Sequence, residues 1–412
     1  MRRRVAITGI GVVCPLGNDT RAVADAIFAG RSAIAARTFT NAATGTNLTI
    51  PVAAVPDSAH TELPKATVLM CDKFGRLGVM AANAAIADSK LDFSREDRSR
   101  IGASTGTCMG GISETEIGFD AIWLRRRPRV HPLTVVRTMY NSPAAFITID
   151  HGLSGPALSY STTCSSSSVS IGEAARQIQH GYADVMVAGG TETLLTYSAV
   201  ICWASAQLLA PVHDIPARSC RPFDATRNGT VLGEGAVYLV LEEWSRATAR
   251  GARIYAELAG YACTSDSEHV SQPSVAGQAA PMWNALRDAG AKPEEVNYVQ
   301  AHGTATKLND STETQAIRSV FGSYANHLQV SSVKGVVGHM AGAAGAMGIV
   351  TCILAISRQE IPPTANLFQS DPECDLDYVP GRARPAPGLS TTMANAFGFG
   401  GTAASLVIRA PQ

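Results

Sequence analysis

Ala157-Leu158-Ser159-Tyr160-Ser161-Thr162-Thr163-Cys164-Ser165-Ser166-Ser167-Ser168 is the stretch from which the fold is read. Ala157–Ser161 is short and strand-like. From Ser165 to His180, Ile171, Ala174, Ala175 and Ile178 fall on one helical face, and Gly181 stops the helix. This order puts Cys164 at a strand-to-helix turn, at the helix N-terminus. Backbone N–H groups and the helix dipole there favour a thiolate, so a lowered thiol pKa is expected. The same turn offers the N–H of Cys164 to an oxyanion. A buried structural cysteine is the plain alternative.

Outward from this stretch the same alternation repeats. Short runs apolar on both faces occur at 5–10, 101–104, 185–188, 237–241, 296–300, 328–331 and 405–408. Helical patterns over Phe74–Ser89 and Met340–Ser357 lie between them. Such strands alternating with helices predict a buried, mostly parallel α/β sheet. A soft boundary near 248–252 divides the chain into 1–250 and 251–412. The irregular 36–66 and 113–145 regions are expected to form surface loops or partner contacts.

Composition narrows the function. The 412 residues are 46% hydrophobic and 17% charged, so a sizeable core forms and disorder is excluded. Lys+Arg and Asp+Glu are 34 each, which argues against nucleic-acid binding. The longest apolar run, Ala341–Ile356, is 16 residues, short of the ~20 of a membrane span. The N-terminal stretch is basic and then apolar, but Thr8, Gly9 and Gly11 interrupt it, so a first strand and no signal peptide is expected. Nine dispersed cysteines, with no CxxC spacing, fit a reducing cytoplasm better than a disulfide framework.

Gly9-Ile10-Gly11 after the first strand imitates a dinucleotide fingerprint but lacks its third glycine, so a strand-end turn is expected. Phe397-Gly398-Phe399-Gly400-Gly401 lacks the Lys-Ser/Thr of a phosphate loop. It reads as a glycine turn, or as a flexible loop beside a site. His302 and His339 each follow a strand and sit among small residues that leave room for a ligand. With Cys164 at a third strand end, they form a candidate catalytic cluster. A zinc site is the competing use, but the ligands are isolated in sequence and no metal is expected.

Together these motifs resemble the β-ketoacyl–acyl-carrier-protein synthase family. The resemblance runs from Arg4 to Ile408. It rests on Thr163-Cys164-Ser165-Ser166, Ala301-His302-Gly303-Thr304, Lys334-Gly335-Val336-Val337-Gly338-His339 and 395–402. A Cys-His-His set is similar to the elongating branch, synthase II and the type II polyketide ketosynthases. The resemblance implies a thiolase-like fold, with two similar halves in five α-β-α-β-α layers, the first carrying the cysteine and the second both histidines. It also implies a two-stage reaction. Cys164 takes an acyl group from phosphopantetheine, with Cys164 and Phe399 N–H groups holding the oxyanion. A malonyl-carrier thioester then loses CO2, and His302 and His339 stabilise the enolate that attacks the acyl-cysteine.

By the same resemblance, Lys334 pairs with Glu313 and orders the site. Thr304 and Thr306 bind the pantetheine arm, and His269 lies near the tunnel. Phe399 gates the acyl chain on the loop of Phe397, Gly398 and Gly400, and Met109 shapes the far acyl pocket. No redox cofactor or metal is implied, since the pantetheine arm arrives on the carrier. The implied partners are an acidic acyl carrier protein and a second subunit, as homodimer or as heterodimer with a chain-length-factor-like chain. A basic docking patch is therefore expected, with Arg125-Arg126-Arg127, Arg129, Lys65, Lys73 and Arg76 as candidates.

Departures from the family pattern surround the acyl tunnel. Thr230 stands where the family usually has Phe, Lys307 where primary fatty-acid enzymes have Pro, and Thr402-Ala403 lacks a common Asn. They favour a specialised polyketide substrate over a housekeeping synthase II. Thiolase and a non-catalytic partner subunit are remote alternatives, opposed by the second histidine motif and by Cys164.

Overall fold

In the computed structural model, which describes residues 2–411, ten strands join in one sheet. They are β1 (Val5–Val13), β2 (Ile101–Gly106), β3 (Ala157–Tyr160), β4 (Val185–Glu192) and β5 (Gly235–Glu243), then β6 (Ala256–Ser265), β7 (Tyr298–Gln300), β8 (Gln329–Ser331), β9 (Thr391–Phe397) and β10 (Thr402–Arg409). Their order is β8-β7-β9-β10-β6-β1-β5-β4-β2-β3. The first five strands thus run 3-2-4-5-1 and the last five 8-7-9-10-6, the same path twice. Among the described residues, the two sets pair at Ala6–Glu257 and Ile7–Ala256 of β1 and β6.

The expectation of a mostly parallel sheet is corrected. β2 pairs in parallel with β3 and β4, and β7 with β8 and β9. β5 is antiparallel to β1 and β4, and β10 to β6 and β9. Helices cover both faces, so antiparallel strands also read as unbroken apolar runs. Apolarity reports two-sided burial, not strand direction.

The helices build the layers. α1 (Lys73–Ser89) packs on β1, β4 and β5, with α2 (Ser142–His151) beside it. α3 (Ser166–Gln179) lies on β2 and β4 and also touches β6 and β10. After α4 (Tyr197–Ser205), α5 (Val275–Ala289) covers β6 and β10, with α6 (Lys307–Phe321) on its flank. α7 (Ala344–Arg358) lies on β7 and β9 and against α3. The middle layer is therefore α3 with α7, between the two strand sets. This is the thiolase-like α/β arrangement. The helical stretch Ala341–Arg358 is long and apolar enough to cross a membrane, yet 83% of it is buried in this middle layer.

Gly9 and Gly11 lie inside β1 and not at its end, and they explain a close contact. A Cβ on Gly11 would stand 1.9 Å from the Ala81 carbonyl, and one on Gly9 would stand 2.2 Å from that of Ala85. The pair lets α1 press onto the strand. The 36–66 region is more regular than expected. It holds a hairpin of Ala35–Thr40 and Asn47–Ala53. The 113–145 region holds short helical segments, Ile112–Phe119, Asp120–Leu124 and Thr134–Thr138, that expose Ile117, Phe119, Trp123 and Val135.

Candidate active site

β3 ends at Tyr160, and a single turn over Thr163–Ser165 leads into α3. Thr163 takes φ of +53°, an uncommon conformation for a β-branched residue, and so turns the chain sharply at the cysteine. The Ser166 hydroxyl accepts the N–H of Thr162 at 2.9 Å and fixes the turn. Cys164 is 5% exposed. Its thiol is pushed up to about 11 by burial, against the downward pull of Lys334 and of the Phe399 and Cys164 N–H groups. The expected lowering of this pKa is thus corrected: the dehydrated position outweighs the N–H groups and the helix end. Those N–H groups, one from the turn and one from the glycine loop, nonetheless favour the thiolate.

His339 follows the short helix Lys334–Val337, and its Nε2 lies 3.0 Å from Cys164 Sγ. Its N–H donates to the Val231 carbonyl at 2.7 Å, whereas its Nδ1 has no partner among the described residues. His302 follows β7, with its ring 5.5 Å from that of His339 at 87°. Lys334 Nζ bonds the His302 carbonyl and lies 3.4 Å from its Nδ1. An ammonium only donates, so it holds the His302 ring proton on Nε2. Burial first, and the Lys334 charge second, hold both histidines well below the ordinary imidazole range. Both are neutral at neutral pH.

The expected Lys334–Glu313 ion pair is replaced by a shared hold on His302. The Glu313 carboxylate accepts the N–H groups of His302 and Gly303, each at 2.8 Å. Lys334 takes the carbonyl of the same His302 residue. Both charged groups are buried; burial raises Glu313 to about 7 and lowers Lys334. Cys164 Sγ and one ring nitrogen from each histidine lie within 4.8 Å of one another, a spacing that would also suit a metal. The nearby Lys334 ammonium opposes a second cation there.

Cys164, His302 and His339 open on a cavity of about 150 Å³, whose walls include Thr230, His269, Thr304, Thr306, Phe397, Gly398 and Phe399. The Thr304 and Thr306 hydroxyls are 2.9 Å apart. Thr230 is buried, its hydroxyl unpartnered. His269 is exposed on its loop, and its Nδ1 accepts two backbone N–H groups. Phe399 is held through its carbonyl by the Thr163 hydroxyl at 2.9 Å. Glu313 and Lys334 stand behind the histidines, off the wall. Gly400 and Met109 are off it too. The Gly400 N–H donates to Val270, and the Met109 N–H donates to buried Glu192. Sequence reading missed Trp203, which stacks on Phe399 at 5.9 Å, and Gln278 on α5. Trp203 carries no signal in an apolar helix, and Gln278 carries none among small helix formers.

This fold and this cysteine–histidine site define a condensing-enzyme scaffold. Residues 2–247 match the family model described as beta-ketoacyl synthase, N-terminal domain, and residues 255–368 match its C-terminal domain. The chain is 38% identical over 410 residues to a 3-oxoacyl-[acyl-carrier-protein] synthase 2 of Coxiella burnetii, covering 99% of this chain and 98% of that one. It is equally 38% identical over 410 residues to nodulation protein E of Rhizobium meliloti strain 1021, covering 99% and 100%. The solved ishigamide ketosynthase/chain length factor superposes with a TM-score of 0.91 at 32% identity, covering all of both chains. The chain belongs to the β-ketoacyl synthase family and is an acyltransferase of the ketosynthase type.

Proposed function

We propose that the chain elongates carrier-bound acyl groups by decarboxylative condensation with a malonyl-carrier thioester. The observation that carries the reading is His339 Nε2 at 3.0 Å from Cys164 Sγ. The buried thiol keeps its proton at rest, so neutral His339 takes that proton as the sulfur attacks. The leaving pantetheine thiol receives it back. The acyl group remains as the Cys164 thioester, its oxyanion having faced the Cys164 and Phe399 N–H groups.

In the second stage the malonyl thioester loses CO2, and its enolate oxygen needs donors. His302 supplies Nε2–H, fixed by Lys334. His339 supplies its own Nε2–H, because its unpartnered Nδ1 leaves the tautomer free to change. The enolate carbon attacks the acyl-Cys164 carbonyl, the sulfur leaves as a thiolate that regains a proton from solvent, and a β-ketoacyl product forms on the carrier. Thr304 and Thr306 hold the pantetheine arm, with His269 near the tunnel. Phe399 and the loop of Phe397, Gly398 and Gly400 admit the chain, and Met109 shapes its far end through a backbone tied to Glu192. This chemistry balances without a redox cofactor.

The partners proposed are an acyl carrier protein and a second subunit, in the cytoplasm. The half-exposed edge strand β3 and the apolar side chains around Trp123 support a subunit interface. Either a second copy or a chain-length-factor-like chain suits it. Among the basic docking candidates, Lys73 is drawn into an ion pair with buried Glu234, which leaves Arg125-Arg126-Arg127 with Arg129, Lys65 and Arg76. Thr230, in place of the family's Phe, supports a specialised polyketide substrate. The synthase 2 relative supports fatty-acid elongation as the second reading.

Intact-protein mass after mixing with acyl-carrier thioesters tests the reading. An acyl-sized gain that disappears in Cys164→Ala is expected. No gain with any acyl group, alone or with a co-expressed partner, would refute it.

A further inference from the structure

One polar wall of the cavity is built as a relay. Asp310 is fully buried, and one of its carboxylate oxygens accepts the Phe223 N–H at 2.8 Å. Its other oxygen accepts from Asn309 Nδ2 at 3.1 Å. A carboxylate beside the Arg227 guanidinium, 3.7 Å away, is acceptor-only. Asn309 must therefore turn its own oxygen away, and Oδ1 accepts from Gln278 Nε2 at 3.1 Å. That fixes the last amide in turn. Gln278 Oε1 is left over, buried, with no partner among the described residues. Gln278, Asn309, Thr304 and Thr306 all line the cavity.

A buried amide oxygen without a donor is destabilising, and here the relay prevents the amide from flipping to avoid it. The same wall holds the Thr304–Thr306 hydroxyl pair, which retains a proton to donate. Acceptor and donor side by side match the N–H and C=O of a secondary amide. We infer that Gln278 Oε1 receives an amide N–H of the pantetheine arm, while the threonine pair donates to an amide carbonyl. This inference rests on the proposed condensing reaction and adds to it a binding residue on α5.

The test uses the full chain with two malonyl thioesters, one of pantetheine and one of a simple alkanethiol without amides. The ratio of kcat/KM for the first over the second is compared between wild type and Gln278→Leu, with Gln278→Met as the unbranched alternative should the leucine variant fold poorly. A fall of about tenfold in the ratio, carried by KM for the pantetheine thioester, is expected for one lost hydrogen bond. An unchanged ratio in a folded variant overturns the inference and leaves the condensing reaction standing. Wild type that turns over neither thioester, nor the malonyl-carrier form, overturns the reaction and the inference together.

Discussion

Cys164 and His339 face each other across 3.0 Å from equivalent points of the two halves. Cys164 lies between β3 and α3, and His339 between β8 and α7, and these four elements correspond under the repeated strand order. The middle layer, where α3 packs on α7, is what brings the two turns together. The nucleophile and its base are thus one structural position used twice, with different side chains.

That division predicts different losses for the two histidines. His302→Ala removes an enolate donor but nothing that touches Cys164. Malonyl decarboxylation should fall about 100-fold or more, on the order of 3 kcal/mol, while acyl loading of Cys164 persists. His339→Ala should lower both stages. Intact mass measures loading, and CO2 release measures the second stage. Equal loss of loading in the two variants would contradict these roles.

Lys334 predicts a change in pH dependence. Its charge helps to hold His302 and His339 below the ordinary imidazole range, so Lys334→Met should let both rise. Imidazolium then forms at higher pH, and the acid limb of decarboxylation moves up. The rate at neutral pH should fall on the order of 10- to 100-fold, because the His302 proton is no longer held on Nε2. A pH–rate profile of CO2 release checks both effects.

Buried thiols predict alkaline instability. Burial pushes Cys164 up to about 11, and Cys14, Cys71, Cys220, Cys352 and Cys374 up to about 12. In the unfolded chain a thiol releases its proton near pH ~8.5. Above that value the folded state binds more protons, so stability falls as pH rises through the folded values. Below it, this contribution is fully present. Melting temperature under reducing conditions should fall steeply above pH ~9, and less steeply once Cys14 and Cys352, both fully buried, are replaced by Ala or Val.

Cys164, His302 and His339 were legible because each sits at a strand end among small residues, and that pattern survives in one dimension. The way Lys334 and Glu313 share His302 was not, since it depends on which atoms of His302 each charged group reaches. The thiol pKa was misread for a similar reason: a helix N-terminus is visible in sequence, but the depth at which Cys164 is buried is not. Gln278 and Trp203 come from helices whose patterns report packing alone. The mixed strand directions were hidden because helices on both faces erase the alternation that would mark an antiparallel pair.

Gly398 predicts a defect in acyl transfer to and from Cys164 that leaves malonyl decarboxylation in place. A Cβ there would stand 2.1 Å from Thr163 Oγ1 and 2.7 Å from the Thr162 carbonyl, so Gly398→Ala cannot dock the loop as it stands. The loop must shift, and with it the Phe399 N–H that faces Cys164. Loss of that one oxyanion donor should slow acyl loading about 100-fold. The clash lies in a surface loop next to the Thr163–Ser165 turn and not in the sheet, so the stability loss should stay within about 1–3 kcal/mol. Stopped-time intact-mass measurements of loading, beside thermal unfolding, separate the two effects. Loading at the wild-type rate would show that the loop N–H plays no part in holding the oxyanion.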